Sequence, residues 1–179
     1  MTLRKILVLI AASLMVVNFI ACDDETSITS AQQLEAEKQI YLQFLSENYS
    51  SYKAQADTTI GDSTSFDLKY WELNPGFGDT TNNITPGNTV AIRYQLYSLQ
   101  LNDSLRVDTI PQQSNINTAF PYEFTVASSV YTLSTYYGLN QGVQYMRKGA
   151  VGYLLMPSSL TDNSYYSSLY KIEVVFVSH

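Results

Sequence analysis

The sequence predicts an α+β domain: one long helix near the N-terminus, then a strand-rich region with a short helix inserted before its last two strands. Three observations carry this reading. The apolar period is helical from about residue 31 to 54 and switches to two from Thr64 onward. Turn signals punctuate the second region at Asn74-Pro75-Gly76, Pro86-Gly87 and Asn102-Asp103. Tyr, at 15 copies against 7 for Phe, suits half-exposed strands and wet aromatic surfaces better than a helical bundle.

The chain of 179 residues has room for one domain plus extensions. At 45% hydrophobic and 15% charged it can build a core, which excludes wholesale disorder. With 10 Lys and Arg against 16 Asp and Glu, it lacks the basic footprint that nucleic acid requires, and no nucleic-acid partner is expected. One Cys and one His supply neither a zinc site, a disulfide nor a Cys/His dyad, so no metal and no cofactor is expected. His179 is the final residue, a poor foundation for a catalytic triad.

The first 21 residues read as a signal peptide. Arg4 and Lys5 precede an apolar run from Ile6 to Ala21, which is shorter than the roughly 20 residues that comfortably span a bilayer. The run ends at Phe19-Ile20-Ala21-Cys22, which resembles the lipobox of bacterial lipoproteins; Phe19 stands where Leu is usual. The resemblance implies lipid on Cys22, a membrane partner through that lipid and a place in the cell envelope. Loss of residues 1–21 removes two cations and no acid, taking the net charge from −6 to −8. Asp23-Asp24-Glu25 resembles a lipoprotein sorting signal, and a plain solvated tether over residues 22–30 is the alternative.

The elements follow in order. Ser30 with Gln33 makes a capping-box pattern, opening an N-terminal helix segment at 31–56. Its stripe of Leu34, Tyr41, Phe44, Leu45 and Tyr52 must pack on the body of the domain or on a second copy, as a homodimer. Asp57 to Ser63 is turn chemistry, and the domain proper is placed at 64–179. Phe66, Leu68 and Tyr70 alternate as a strand. Thr89 to Leu101 is a longer one, whose apolar phase shifts near Tyr97 in the manner of a β-bulge. Asn102-Asp103 turns into a strand from Leu105 to Ile110, and Pro111 to Ala119 reads as a loop. Tyr122 to Val126 is a short strand, and 138–149 a short helix with cations in its last turn and a closing Gly149. Ala150 to Met156 and Leu169 to Val177 complete the strands.

This order resembles the FKBP-type peptidyl-prolyl cis-trans isomerase domain. Leu68-Lys69-Tyr70, Gly76-Phe77-Gly78 and the stretch from Pro86 to Tyr94 are similar to its opening. Gly138-Leu139-Asn140-Gln141-Gly142-Val143, with Met146, Gly149 and Pro157, resembles its central helix and next strand; Ile172 to Phe176 resembles its closing strand. The resemblance implies a curled antiparallel sheet packed on a short central helix. It also implies isomerase activity on exported polypeptides with Xaa-Pro bonds. The N-terminal helix is similar to the extensions of envelope members that dimerise.

The same resemblance assigns a pocket. Tyr94, Asp108 and Tyr122 match its catalytic Tyr, carboxylate and aromatic. Thr135 and Tyr136 fall where two aliphatic residues usually touch ligand. Val107, Leu139, Thr161 and Ile172 stand where the family carries large aromatics, leaving a wider and less rigid substrate pocket. Plain structural roles compete with each assignment: Asp108 as a turn cap, Tyr122 as core. The tyrosines Tyr165, Tyr166 and Tyr170 could form a sticky loop. Two functions follow from different classes: a weak lipid-anchored envelope isomerase, or a non-catalytic FKBP-like binding module.

Overall fold

The computed structural model describes residues 28–77, 83–128 and 136–178. The leader, Cys22 with its acidic followers, Gly78, Thr135 and His179 lie outside the described residues. No helix among the described residues is long and apolar enough to cross a membrane.

Helix α1 spans Ser30–Gln55. Its capping box is set one residue earlier than the pattern at Ser30 and Gln33: the Thr29 hydroxyl accepts from the Gln32 backbone N–H, and the Gln32 side chain accepts from Thr29 N–H at 2.8 Å. Both frames fit the local sequence. The one used puts Glu37, Tyr41, Phe44 and Leu45 on the buried side.

Among the described residues seven strands follow: β1 (Thr58–Ile60), β2 (Lys69–Asn74), β3 (Thr89–Leu101), β4 (Val107–Ser114), β5 (Tyr122–Thr125), β6 (Val151–Met156) and β7 (Ser168–Ser178). They form one antiparallel sheet in the order β1-β2-β6-β7-β3-β4, with β5 pairing the first half of β3 ahead of β4. Short helix α2 (Tyr137–Gly142) enters before β6.

The sheet is covered on both faces, and this explains most departures from the sequence reading. One core holds Tyr70, Val90, Ile92, Phe124, Leu139, Leu154 and Ile172 beneath α2. The other holds Tyr41, Phe44 and Leu45 of α1 against Trp71, Leu99, Val107, Leu155 and Leu169. Neighbours such as Tyr70/Trp71 and Leu154/Leu155 therefore face opposite cores. In β2 this erases the alternation that marks a half-buried strand, so the strand starts at Lys69 rather than at Phe66. The stripe of α1 packs in cis on this second core. Leu34 in its first turns, and Ile28 just before it, remain exposed.

Other corrections are local. The turn chemistry of 57–63 contains β1. The turn after β3 takes five residues, tied by Asn102 Oδ1 to the N–H groups of Ser104 and Arg106, so β4 begins at Val107. It runs on through Pro111 to Ser114, which is tolerated because β4 is an edge strand with no neighbour awaiting that missing N–H. The irregularity near Tyr97 exists, with the extra residue, Gln112, in β4: Leu96 pairs Gln113 and Tyr97 pairs Pro111. The apolar phase of β3 shifts because α1 covers the opposite face at that end. Helix α2 is shorter than expected, continuing as a 3₁₀ turn at Val143–Tyr145, so Arg147 and Lys148 lie beyond it. Gly138 and Gly142 are its contact points: a Cβ there would sit 2.4 Å from Met156 Sδ and from Leu154 Cδ1.

Candidate functional site

Above α2, three adjacent strands place their aromatic residues on one face. Register pairs Tyr94 of β3 with Ile172 of β7, Leu96 with Tyr170, and Ile92 with Tyr122 of β5. Because these positions alternate along their strands, their side chains share a face. The Tyr94 ring lies 6.3 Å from that of Tyr122, edge-on, and 5.6 Å from that of Tyr170; Tyr122 lies 5.5 Å from Phe124. Leu139 of α2 and Ile172, both buried, supply the apolar floor. Tyr136, the residue before α2, is 44% exposed and closes the rim.

The electrostatics are those of neutral phenols. Burial, then Tyr122 and Tyr136, raise the Tyr94 hydroxyl above the ordinary phenol range. Burial raises Tyr170 further, helped by Tyr136, Tyr94, Asp162 and Tyr122. At neutral pH these groups are hydrogen-bond donors of fixed protonation. They suit a carbonyl held by donors, not proton transfer.

Asn115 fixes Tyr94 in place. Its Oδ1 accepts from Tyr94 N–H at 2.6 Å, its Nδ2 donates to Ile92 O at 3.0 Å, and its own N–H donates to Tyr94 O. Arg93 donates to the carbonyls of Asn115, Ile116 and Thr118, which pins the 115–120 loop beside the site with Phe120 turned to solvent.

Beyond Tyr170 the same face opens into a cleft of about 310 Å³, lined by Ser98, Gln100 and Gln112 on the sheet and by Asp162, Ser164 and Tyr166 on the segment after β6. Asp162 titrates below its ordinary range. Burial works against this and is outweighed by bonds from Ser164 and Thr161.

The expected pocket residues divide. Tyr94, Tyr122, Tyr136, Leu139 and Ile172 come together. Thr161 sits in the segment after β6, its hydroxyl spent on Ser158 O at 3.1 Å and on Asp162. Val107 and Asp108 do not join the group, a correction to the expectation that Val107 lines the pocket and Asp108 supplies its carboxylate. Val107 belongs to the opposite core under α1. Asp108 pairs with Gln100, six residues from Tyr94 and so about 20 Å along the strand. It is exposed and accepts from Asn102 Nδ2 at 3.0 Å, in the manner of a turn cap. Sequence reasoning missed Tyr170 as part of the aromatic group, and missed Asn115 and Asp162. The alternation of Tyr170, Ile172 and Val174 was the available signal, because it places Tyr170 on the face of Ile172.

No family model matches the chain, and no curated protein matches it. Solved structures do. FkpA from Escherichia coli is 16% identical, with 99% of this chain and 74% of that chain covered and a TM-score of 0.52. The peptidyl-prolyl cis-trans isomerase of Pseudomonas syringae pv. tomato is 18% identical, with 84% of this chain and 97% of that one covered and a TM-score of 0.50. At such identities the likeness is one of fold, and the fold is FKBP-like.

Proposed function

We propose, on the premise of an FKBP-like fold, that this chain is a weak peptidyl-prolyl cis-trans isomerase of the cell envelope, held by lipid on Cys22 and acting on exported polypeptides. The observation that carries the catalytic part is the pair of Tyr94 and Tyr122 over the buried Leu139 and Ile172. The anchor and the envelope location rest on the lipobox-like Phe19-Ile20-Ala21-Cys22.

Rotation about a prolyl amide faces a barrier of about 18–20 kcal/mol from lost resonance. It needs no nucleophile and no proton relay. A dry apolar floor favours the twisted amide over the planar one, because the twisted form is less polarised and depends less on water. Tyr94 and Tyr122 orient the chain through their hydroxyls, while Leu139 and Ile172 exclude water from the rotating bond. Leu139 offers less wall than the Trp usual in the fold, which supports weak rather than strong turnover.

A second reading is a non-catalytic binding module, favoured by Tyr170: its ring is buried and packs 5.6 Å from that of Tyr94, on the face that would receive the prolyl ring. A protease-coupled prolyl-peptide assay on the purified chain separates the two. Turnover above the buffer blank that falls in Tyr94→Phe supports the isomerase. A flat trace with measurable peptide binding leaves the binding module.

A further inference from the structure

Glu37 is a carboxylate in the wrong place for a solvated helix face. It is 2% exposed, one turn before Tyr41 on the buried side of α1. A buried carboxylate is costly unless its oxygens are satisfied. Oε1 accepts from the Ser158 N–H at 2.7 Å and from the Ser167 hydroxyl at 2.7 Å; Oε2 accepts from the Ser158 hydroxyl at 2.7 Å. Both serines are buried as well.

These two serines bracket the segment that walls the cleft. Ser158 is the hub of its first end, where its carbonyl accepts from the N–H groups of Thr161 and Asn163. Ser167 anchors the second end through its carbonyl, which accepts from Leu99 N–H of β3 at 3.2 Å. Between them, Asn163 and Tyr165 sit at φ 56° and 62°. That region is costly for a bulky side chain and persists only where the surroundings over-determine it. The clamp supplies that restraint, and Asp162, Ser164 and Tyr166 point into the cleft from the span it holds.

We propose that Glu37 is the positioning residue of the binding cleft: from the N-terminal helix it fixes both ends of the 158–167 segment and so holds the cleft wall against the polar flanks of a bound polypeptide. Helix α1 is then part of the site. The inference rests on the reading of this face as the substrate face. Its occupant is an extended chain with amide- or hydroxyl-bearing residues beside the proline, matched by Ser98, Gln100, Gln112 and Ser164.

The test compares wild type with Glu37→Gln and Ser167→Ala in the full chain. A glutamine has one acceptor oxygen where three donors converge, and Ser167→Ala deletes one bond while leaving the Glu37 side chain in place. The expected result is amide exchange about tenfold faster at Ser158, Thr161 and Asn163, with β6 and β7 unchanged. Peptide KM rises several-fold while kcat holds. Equal acceleration in the strands would make Glu37 an ordinary core residue, and an unloosened segment or an unmoved KM would equally overturn the proposal. If Glu37→Gln does not fold, Ser167→Ala decides by the same readings. A wild type without turnover sinks the isomerase reading alone, since segment exchange and peptide affinity still judge the clamp.

Discussion

Val107 and Asp108 are consecutive in β4 and belong to opposite faces of the sheet: Val107 packs beneath α1 with Leu99 and Phe44, while Asp108 stands in solvent and bonds Asn102. The pair therefore separates stability from activity. Val107→Ala should cost about 1–3 kcal/mol through lost burial and a partly relaxed cavity. Prolyl-isomerase turnover of the folded protein should be unchanged. Asp108→Ala should change neither by more than about 0.5 kcal/mol in stability or twofold in rate. Denaturant midpoints beside the coupled assay check both; a large loss of rate in Asp108→Ala would restore it to the site.

The fold was legible where one face of an element is buried and the other wet. Strand β3 from Ile92 to Leu96, strand β7 beyond Tyr170 and helix α1 show this, with periods that match their surroundings. It was not legible where both faces are covered. Lys69-Tyr70-Trp71-Glu72 reads as a mixed run because Tyr70 and Trp71 serve different cores. The site was legible through Tyr94, Leu139 and Ile172, whose neighbours fix the alignment. It was lost at Val107 and Asp108, because the pairing of Asp108 with Gln100 sets the matched tripeptide far along β3 from Tyr94, which its letters do not record. Glu37 escaped notice because an acid on an apolar stripe looks like a break in the pattern; spacing from Tyr41 and Phe44 puts it on the stripe.

Helix α1 should stabilise its own chain. Tyr41, Phe44 and Leu45 are fully buried against Trp71, Leu99 and Leu155, so Phe44→Ala should cost about 3–5 kcal/mol. Deleting residues 30–55 exposes that whole core and should give a protein that melts far lower or aggregates. Sedimentation checks the alternative that the helix joins two copies. A truncated protein with an unchanged melting midpoint and half the mass would assign the stripe to a partner chain.

Alkaline pH should unfold the protein through its phenols. Burial is the first cause that raises Tyr41, Tyr70, Tyr94 and Tyr170, and it pushes Tyr52 up to about 12. A folded-state value above the unfolded one means the native state holds the proton more tightly. The contribution is therefore full below the unfolded value of about 10 and is lost as pH rises through the folded values. The denaturant midpoint should be insensitive to these groups at neutral pH and fall above about pH 10, in step with phenolate absorbance. Phenolate appearing at its ordinary pH, well before any loss of structure, would mean these rings are wetter than their packing implies.

Cys22→Ala should abolish lipid attachment and release the chain from membranes or stall its processing. Acyl chains hold at about 0.8 kcal/mol per buried CH₂, and α1, the first described element, carries no apolar stretch able to replace them. Palmitate labelling followed by membrane fractionation reads this directly. Label retained in the alanine variant would end the lipoprotein assignment.

Leu139 is fully enclosed, so Leu139→Trp, the change that copies the usual aromatic floor, meets a packed core and should cost about 1–3 kcal/mol by overpacking. Leu139 and Tyr170 belong to the same core, and the Tyr170 ring packs against that of Tyr94. Paired with Tyr170→Val, the tryptophan gains room and the stability loss should shrink. Turnover should then rise over wild type, since about 1.4 kcal/mol of added preference for the twisted amide is tenfold in rate. Adding Tyr94→Phe to that double variant should lower the rate again while leaving the fold intact. A folded double variant with no gain over wild type would show that the floor is not what limits catalysis, and would leave this face as a site that binds chains without turning them over.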